Sequence, residues 1–169
     1  LLGLLNPSSG EIFINKKKFI GNLTLPNNLF SYVPQEIYLL DNSIVENIAI
    51  GIDKNAIDYN FINEIIKELD LDEFVKNLPK GLETSVGDKG VKISGGQKQR
   101  IGLARALYSQ PKIIILDEAT NAMDSKLEEK ILKNLNNMKK DKIIILVAHN
   151  DEILKECDEK IEISNGKII

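Results

Sequence analysis

Two nearly unbroken apolar runs dominate the pattern of hydrophobic and polar positions along the chain. They extend from Ile113 to Leu116 and from Ile143 to Ala148, and both are rich in β-branched residues. Runs of this kind are typical of strands that are buried on both faces of a parallel sheet. The pattern therefore predicts two central strands.

The segment between these two runs has a helical period. Asp124 or Ser125 can cap the start of the predicted helix, because both side chains offer an oxygen to unpaired backbone N–H groups. A strand, a helix and a second strand in this order predict a crossover unit and hence an α/β core. The apolar positions that recur three or four residues apart are Leu127, Ile131, Leu135 and Met138.

The stretch from Ile44 to Asn77 has a different pattern, which we interpret as a helical insertion. A short helix is expected over Leu71 to Leu78, where Pro79-Lys80-Gly81 ends it. A longer amphipathic helix is predicted before it, from apolar residues at helical spacing: Ile57, Phe61, Ile65, Ile66 and Leu69.

Short strands are expected near both ends of the chain. Glu11 to Ile14 and Phe30 to Val33 are candidates, separated by a Lys/Asn-rich stretch in which Lys16 to Lys18 are interpreted as solvated loop. Near the C-terminus, Asn165-Gly166 is a strong hairpin signal. The strands that it would join are Ile161 to Ser164 and Lys167 to Ile169.

Composition narrows the class of protein. The 169 residues suit one domain, and a formal net charge of -3 argues against a general binder of nucleic acid or anionic membrane. Cys157 is the only cysteine, so an intramolecular disulfide is excluded, and no apolar run is long enough to cross a bilayer. Because the chain begins inside an apolar stretch at Leu1 and stops after a strand-like segment at Ile169, we interpret it as a fragment.

The string ISGGQKQRIGLARAL, from Ile93 to Leu107, predicts a helix whose start faces a phosphate. Ser94 can cap this helix, while Gly95 and Gly96 let backbone N–H groups approach an anion near the positive end of the helix dipole. The Ser-Gly-Gly segment alone would suit an ordinary loop before a helix. The whole string favours the phosphate site.

An Asp-Glu pair ends the first buried strand. A carboxylate at the end of such a strand is well placed to hold Mg²⁺, and a second one can lie beside an attacking water. Asp117 and Glu118 are the two residues. Capping of the following helix is the alternative interpretation, and it is weak after four apolar residues that follow the predicted helix.

These strings resemble the signature motif and the Walker B motif of ABC ATPases, although Ile93 stands where the family has Leu. The resemblance implies that Asp117 is at the metal site and that Glu118 acts as general base or positions the water. It also implies that one site needs two chains. The residues that would then contact the γ-phosphate of ATP held by the opposite subunit are Ser94, Gly95, Gly96 and Gln97.

Three further segments match the family in order. Gln35, in SYVPQEIYLL, resembles the Q-loop glutamine and would approach Mg²⁺ and the water. Asp124 matches the D-loop aspartate, although Asn121 and Met123 depart from the usual Ser-Ala-Leu-Asp, and a purely structural cap is an equally good interpretation of Asp124. His149, the only histidine, matches the switch histidine that contacts the γ-phosphate.

Two segments favour an exporter over an importer. They are Asn42 to Gly51 and Glu83 to Gly90, and the second resembles the X-loop of exporters. The family's Gly-rich Walker A loop belongs upstream of Leu1, so this chain by itself is expected to bind ATP poorly and to be inactive.

The resemblance implies a P-loop NTPase-like α/β fold with a parallel sheet and a helical signature subdomain. Residues 1–40 and 109–169 would form the α/β core, and residues 41–108 the helical subdomain. The expected cofactors are ATP and Mg²⁺. The expected partners are a second ABC ATPase domain, identical or different, and a transmembrane domain fused upstream, with no nucleic acid. The expected location is the cytoplasmic face of the cell membrane.

Two other interpretations stay open. A soluble ABC ATPase acting on DNA or ribosomes is one, although the long heptad repeats of the DNA-repair members are missing between Gln35 and Ser94. A truncated remnant that does not hydrolyse ATP is the other, and the presence of Glu118 and His149 argues against it. The direction of transport is implied by the resemblance alone, and the transported substrate would be selected by membrane helices outside these residues.

Overall fold

The computed structural model describes residues 7–14, 16–19, 29–87, 91–137, 142–148, 154–155 and 157–169. His149 and Met138, both named above, lie outside this part of the chain. The strands are β1 (Ile12–Ile14), β2 (Lys17–Phe19), β3 (Phe30–Val33), β4 (Ile113–Asp117), β5 (Ile143–Val147), β6 (Ile163–Ser164) and β7 (Lys167–Ile168). The α-helices are α1 (Ile44–Ile48), α2 (Tyr59–Glu68), α3 (Asp72–Lys76), α4 (Gly95–Tyr108) and α5 (Ser125–Asn137).

A parallel three-stranded sheet with the order β3-β4-β5 carries the α/β fold. The central strand β4 is buried, as predicted, and its residues Ile114 and Leu116 are 1% and 0% exposed. The mixed α/β fold with a parallel sheet is therefore confirmed.

The prediction that the second apolar run is a central strand was wrong. Within the described part of the chain β5 pairs with β4 alone, so it lies at an edge of the sheet. A strand with one neighbour leaves part of its surface open, and Ile143 and Val147 are 59% and 45% exposed. Apolar composition indicates a strand here, but it does not determine how many strands pair with it.

The helical region, α1 to α4, contains many fully buried side chains. Ser43 and Glu46 form a reciprocal capping box at the start of α1, and Asp58 caps α2 by accepting a hydrogen bond from the N–H of Phe61. Helix α1 was not predicted, although the spacing of Ser43 and Glu46 is the signal that could have found it. The side chains at most 2% exposed in α1, α2 and α4 and the segments that join them include Ile44, Ile48, Ile62, Ile65, Leu69, Leu71, Ile101 and Leu103.

One continuous apolar core joins this helical region to the sheet. Val33 of β3, Leu116 of β4 and Ile131 of α5 belong to the same buried cluster as the helical residues. Helix α5 begins as expected, and Asp124, rather than Ser125, accepts the capping hydrogen bond from the N–H of Leu127 at 3.1 Å. The helices are therefore fixed relative to the strand ends by packing.

Two hairpins lie outside this core. Asn165 and Gly166 have φ angles of 49° and 75°, as a type I′ turn requires, and β6 pairs with β7 as predicted. The predicted solvated loop at Lys16 to Lys18 is an exposed turn at Lys16 but a strand at Lys17 and Lys18. Lys16 has a φ of 65° and turns the chain, so that Lys17 and Lys18 enter strand β2, which pairs with β1.

None of the helices in the described part of the chain combines the length and the apolar character that crossing a membrane requires.

Candidate active site

The carboxyl end of β4 presents two acidic residues in different backbone conformations. Asp117 is the last residue of the strand and pairs with Val147 of β5. Glu118 has a φ of 50°, and its N–H still donates to the carbonyl oxygen of Val147 at 3.0 Å. A positive φ is uncommon for a residue with a side chain and often accompanies a functional site. The chain therefore turns sharply at Glu118 while it remains bonded to the sheet.

Two side-chain amides converge on the carboxylate of Glu118. Gln35 Nε2 donates to Oε2 of Glu118 at 2.6 Å, and Asn121 Nδ2 donates to the same oxygen at 2.7 Å. Gln35 follows β3, which is the strand next to β4, so the parallel sheet brings it to the same edge. The structure thus brings together Gln35 and Glu118, which are 83 positions apart in the sequence.

Asp117 has its own partner from the neighbouring strand. The hydroxyl of Tyr32 in β3 donates to Oδ2 of Asp117 at 2.8 Å. This hydrogen bond to a carboxylate stabilises the protonated phenol, with smaller contributions from desolvation and charge repulsion, so the pKa of Tyr32 is raised above its usual value. Sequence reasoning missed Tyr32. Its place near the end of a strand that pairs with β4 was the available signal.

Helix α4 begins at Gly95 with Ser94 as its cap, as expected, while the phosphate-facing role of this turn stays a prediction. The hydroxyl oxygen of Ser94 accepts from the N–H of Gln97 at 3.2 Å, and the N–H of Ser94 donates to Oε1 of Gln97 at 2.9 Å. Ser94 and Gly95 are exposed, whereas Gly96 and Gln97 are half-buried. Gly95 and Gly96 are the first two helical residues, so their N–H groups have no partner within the helix.

This turn packs against the loop that follows Glu118. A side chain on Gly96 would place a Cβ 2.9 Å from the carbonyl oxygen of Ala122, which is closer than real Cβ contacts come. A Cβ on Gly95 would lie 3.4 Å from the Cβ of Ala122. Gly96 therefore allows the start of α4 to approach this loop, whereas a side chain on Gly95 would only touch it.

Gln99 fixes the same contact from the buried side of α4. It is 6% exposed, and its Oε1 accepts a hydrogen bond from the backbone N–H of Ala122 at 3.0 Å. Sequence reasoning missed this residue, because a glutamine one turn into a helix gives no signal of its burial. A buried acceptor with a backbone donor is well satisfied, so the start of α4 and the loop after Glu118 are held as one unit.

The segment that follows Gln35 is held against α4 by a half-buried arginine. Arg105 donates to the carbonyl oxygens of Asn47 at 2.8 Å and of Tyr38 at 3.1 Å, and burial lowers the pKa of its guanidinium. Gly102 completes the contact, since a Cβ there would come within 2.8 Å of the Cγ1 of Ile37. The segment thus has fixed contacts to the same helix whose start carries Ser94.

The remaining predicted residues take no part in this cluster as the structure describes it. Asp124 is exposed and caps α5, which is the structural alternative stated for it above. His149 lies outside the described residues. Its position next to Asp117 and Glu118 stays a prediction.

The donor set at the strand ends fits a magnesium ion that is also held by phosphate. The carboxylate of Asp117 offers oxygens, and Gln35, whose Nε2 bonds Glu118, has an amide oxygen as its second polar atom. Mg²⁺ is commonly bound by one or two protein oxygens together with substrate phosphates and water. Among the described residues no group of three or more acidic, histidine or cysteine side chains could hold a metal ion.

Known proteins resemble this chain over most or all of its length. The family model of the ABC transporter matches residues 1–121, which include Gln35, the start of α4 and the acidic strand end. The chain belongs to the ABC transporter family. Its ABC fold also resembles a solved structure of a bacterial Atm1-family ABC exporter with ATP bound, with a TM-score of 0.88 and 29% identity over 99% of this chain and 30% of that one.

Several curated relatives are transport proteins. An export ATP-binding/permease protein of Rickettsia typhi is 41% identical over 170 residues, which is 100% of this ABC chain and 29% of the relative. The multidrug resistance protein pgp-1 of Caenorhabditis elegans is 38% identical over 161 residues, which is 95% of this chain and 12% of the relative. The chain thus spans less than a third of the length of these relatives.

Proposed function

We propose that this chain is the ATP-hydrolysing part of an ABC exporter, in which ATP binding and hydrolysis drive transport across a membrane. The observation that carries the proposal is the strand-end cluster, defined here as Tyr32, Gln35, Asp117, Glu118 and Asn121. Two amides restrain one carboxylate in this cluster, beside a second carboxylate that suits a metal ion. The family supports ATP as the nucleotide, and the exporter relatives support export as the direction of transport.

The reaction is an in-line displacement at the γ-phosphorus of ATP. The oxygen of water forms a bond to phosphorus while the bond to the β–γ bridging oxygen breaks, and ADP leaves with that electron pair. Glu118 accepts the proton of the water as general base or orients the water for attack. Asp117 and Gln35 would hold Mg²⁺, which supplies neutralisation of the phosphate charge when it is bound. His149 would contact the γ-phosphate.

The exposed start of α4 supports a site completed by a second ATP-binding domain, identical or different. Ser94 accepts a bond from Gln97 and retains its hydroxyl hydrogen, so it can still donate to a phosphate oxygen. The unpaired N–H groups at Gly95 and Gly96 and the helix dipole favour the same anion. These groups, with Gln97, would contact ATP held by the opposite subunit, while Asp124 would contact that subunit.

The segment after Gln35 is a candidate contact for a fused transmembrane domain. Tyr38 is 76% exposed and Leu40 is 40% exposed, although both lie next to the well-anchored backbone that Arg105 holds. Residues 41–108 would be the helical subdomain, and residues 1–40 and 109–169 the α/β core to which it is joined by one continuous apolar cluster. The chain would lie at the cytoplasmic face of the membrane, where ATP is present.

The test is Glu118→Gln in the complete transporter, purified in lipid nanodiscs. The amide keeps the shape of the carboxylate but is not a base, so we expect ATP turnover to fall by at least about a hundredfold while ATP binding is retained. The exposed Glu64→Gln on α2 is the matched control and should hydrolyse ATP at the unmodified rate. Unchanged turnover by the Glu118 variant would refute the proposed role.

A further inference from the structure

We propose that Asn121 is a positioning residue that, together with Gln35, fixes the orientation of the Glu118 carboxylate for hydrolysis. The inference rests on the proposed function and adds a residue to it. Asn121 stands at a position where the family usually has serine, so the resemblance assigns it no role, and the contact is evident only from the geometry of this chain.

The side chains of Gln35 and Asn121 both donate to one carboxylate oxygen of Glu118. Nε2 of Gln35 and Nδ2 of Asn121 lie 2.6 and 2.7 Å from Oε2 of Glu118. Hydrogen bonds to an ionised group are stronger than those between neutral groups. Donors from two separate chain segments restrict the rotation of the carboxylate more than either one does alone.

Backbone hydrogen bonds of Asn121 and of the next residue hold Asn121 in place. Its N–H donates to the carbonyl oxygen of Glu118 at 3.3 Å, which closes a tight turn over the residue that it positions. The next residue, Ala122, donates its N–H to the buried side chain of Gln99 and lies against Gly96. The amide of Asn121 is therefore presented from a turn that is anchored on α4.

A serine at position 121 could not replace the asparagine as a donor to Glu118 equally well. The hydroxyl of a serine is one atom closer to the backbone than the amide nitrogen of asparagine, and it provides one donor where the amide provides two. At the observed backbone position a serine would reach Oε2 less well. The asparagine therefore makes the orientation of Glu118 depend on this loop, and through Gln99 on the position of α4.

The test is a double-mutant cycle in the complete transporter, with single-turnover hydrolysis of ATP as the readout. Asn121→Leu keeps the branching of the side chain at Cγ and removes the donor, and a misoriented base should lower the rate of the chemical step by roughly tenfold. KM for ATP should stay within about twofold, because no contact with the nucleotide is removed. Asn121→Asp should lose more, because it places a second carboxylate against Glu118.

Non-additivity distinguishes positioning from a general structural effect. If Asn121 acts through Glu118, Asn121→Leu should cause no further loss in a Glu118→Gln background, whereas independent effects would multiply. Asn121→Ser should recover part of the rate lost in the leucine variant. Asn63→Leu, at an exposed position on α2, is the control for the type of substitution and should leave the rate unchanged.

Three results are informative about different claims. A tenfold loss that disappears in the Glu118→Gln background supports the inference. A loss of the same size in both backgrounds, or no loss in the leucine and aspartate variants while Glu118→Gln is inactive, overturns the role of Asn121 alone. Full activity of Glu118→Gln overturns the proposed function itself, whatever the Asn121 variants do.

Discussion

The helical region and the strand-end cluster use polar side chains in opposite ways. In the helical region, polar groups are buried and bonded to backbone: Asn47 is 0% exposed, and its amide donates to the carbonyl oxygens of Leu40 and Ser43 at 3.0 Å each. In the strand-end cluster, Gln35 is exposed, Glu118 is half-buried, and they bond to each other. Stability therefore comes mainly from one set of residues and the proposed chemistry from another.

The two regions meet at one place, the contact of α4 with the loop after Glu118. Gln99 belongs to the buried set, and Ala122 follows directly after Asn121 of the strand-end cluster. A substitution in the helical region can therefore alter the geometry of the strand-end cluster through the contacts of Gln99 and Gly96 with Ala122. Substitutions on either side of the contact, and at it, should therefore have separable effects.

The largest expected effect on stability is in the core of the helical region. Ile65 is 1% exposed, so Ile65→Ala should leave a cavity and lower the free energy of unfolding by about 2–5 kcal/mol. Denaturant titration of the ATP-binding domain measures this. Ile52→Ala, at a residue 46% exposed, is the control and should change stability by less than about 0.5 kcal/mol. Equal effects would show that the helical region is not the stable part.

Gln99 should affect both regions. Gln99→Leu keeps the residue buried but leaves the N–H of Ala122 without its acceptor, which should cost about 1–3 kcal/mol of unfolding free energy. ATP turnover by the complete transporter should fall as well, because the loop that carries Asn121 loses its anchor. The exposed neighbour Lys98→Met should leave both quantities nearly unchanged. A stability loss with full turnover would disconnect the two regions.

Much of the fold was predictable because periodicity reports local structure directly. The buried strand β4, the helices α2 and α5, and the Asn165-Gly166 hairpin each carry their signal within a few residues. The edge position of β5 was not predictable in the same way. Both strands begin Ile-Ile-Ile-Leu, but among the described residues β4 has two neighbouring strands and β5 has one.

The candidate site was partly predictable for a similar reason. Gln35, Asp117 and Glu118 follow strands that a parallel sheet must align, so their convergence could be inferred from the topology. The contacts of Tyr32, Gln99 and Asn121 could not, because they depend on the direction of individual side chains and on the turn at Glu118. The roles assigned by resemblance to the Ser94 turn and to His149 remain predictions.

Loss of the Tyr32 hydroxyl should change the magnesium dependence of hydrolysis without changing the apolar core. Tyr32→Phe removes the hydroxyl that donates to Asp117 at 2.8 Å, and such outer partners help to orient metal ligands. The Mg²⁺ concentration required for half-maximal hydrolysis should rise by about tenfold. Tyr59→Phe removes a similar bond to Glu83, of 2.7 Å, outside the cluster. If both variants shift the magnesium dependence alike, Tyr32 has no specific role there.

The smallest effect concerns the capping box of α1. A hydrogen bond from Lys54, followed by bonds from Ser43, lowers the pKa of Glu46 to about 2. Because the folded-state pKa lies below the unfolded value, this stabilisation is complete above about pH 4.5 and is lost as the pH falls towards 2. Glu46→Gln should therefore lower the denaturation midpoint at pH 7 and progressively less towards pH 3. A deficit that does not depend on pH would contradict this assignment.

We propose above that each nucleotide site combines Glu118 of one subunit with Ser94 of the other. Mixed dimers of the complete transporter, isolated with two affinity tags, test it directly. A dimer of a Glu118→Gln subunit and a Ser94→Arg subunit should keep one intact site and about half of the turnover. A dimer of an unmodified subunit and a subunit that carries both substitutions should have no intact site and almost no turnover. The reverse ranking of the two dimers would contradict the account.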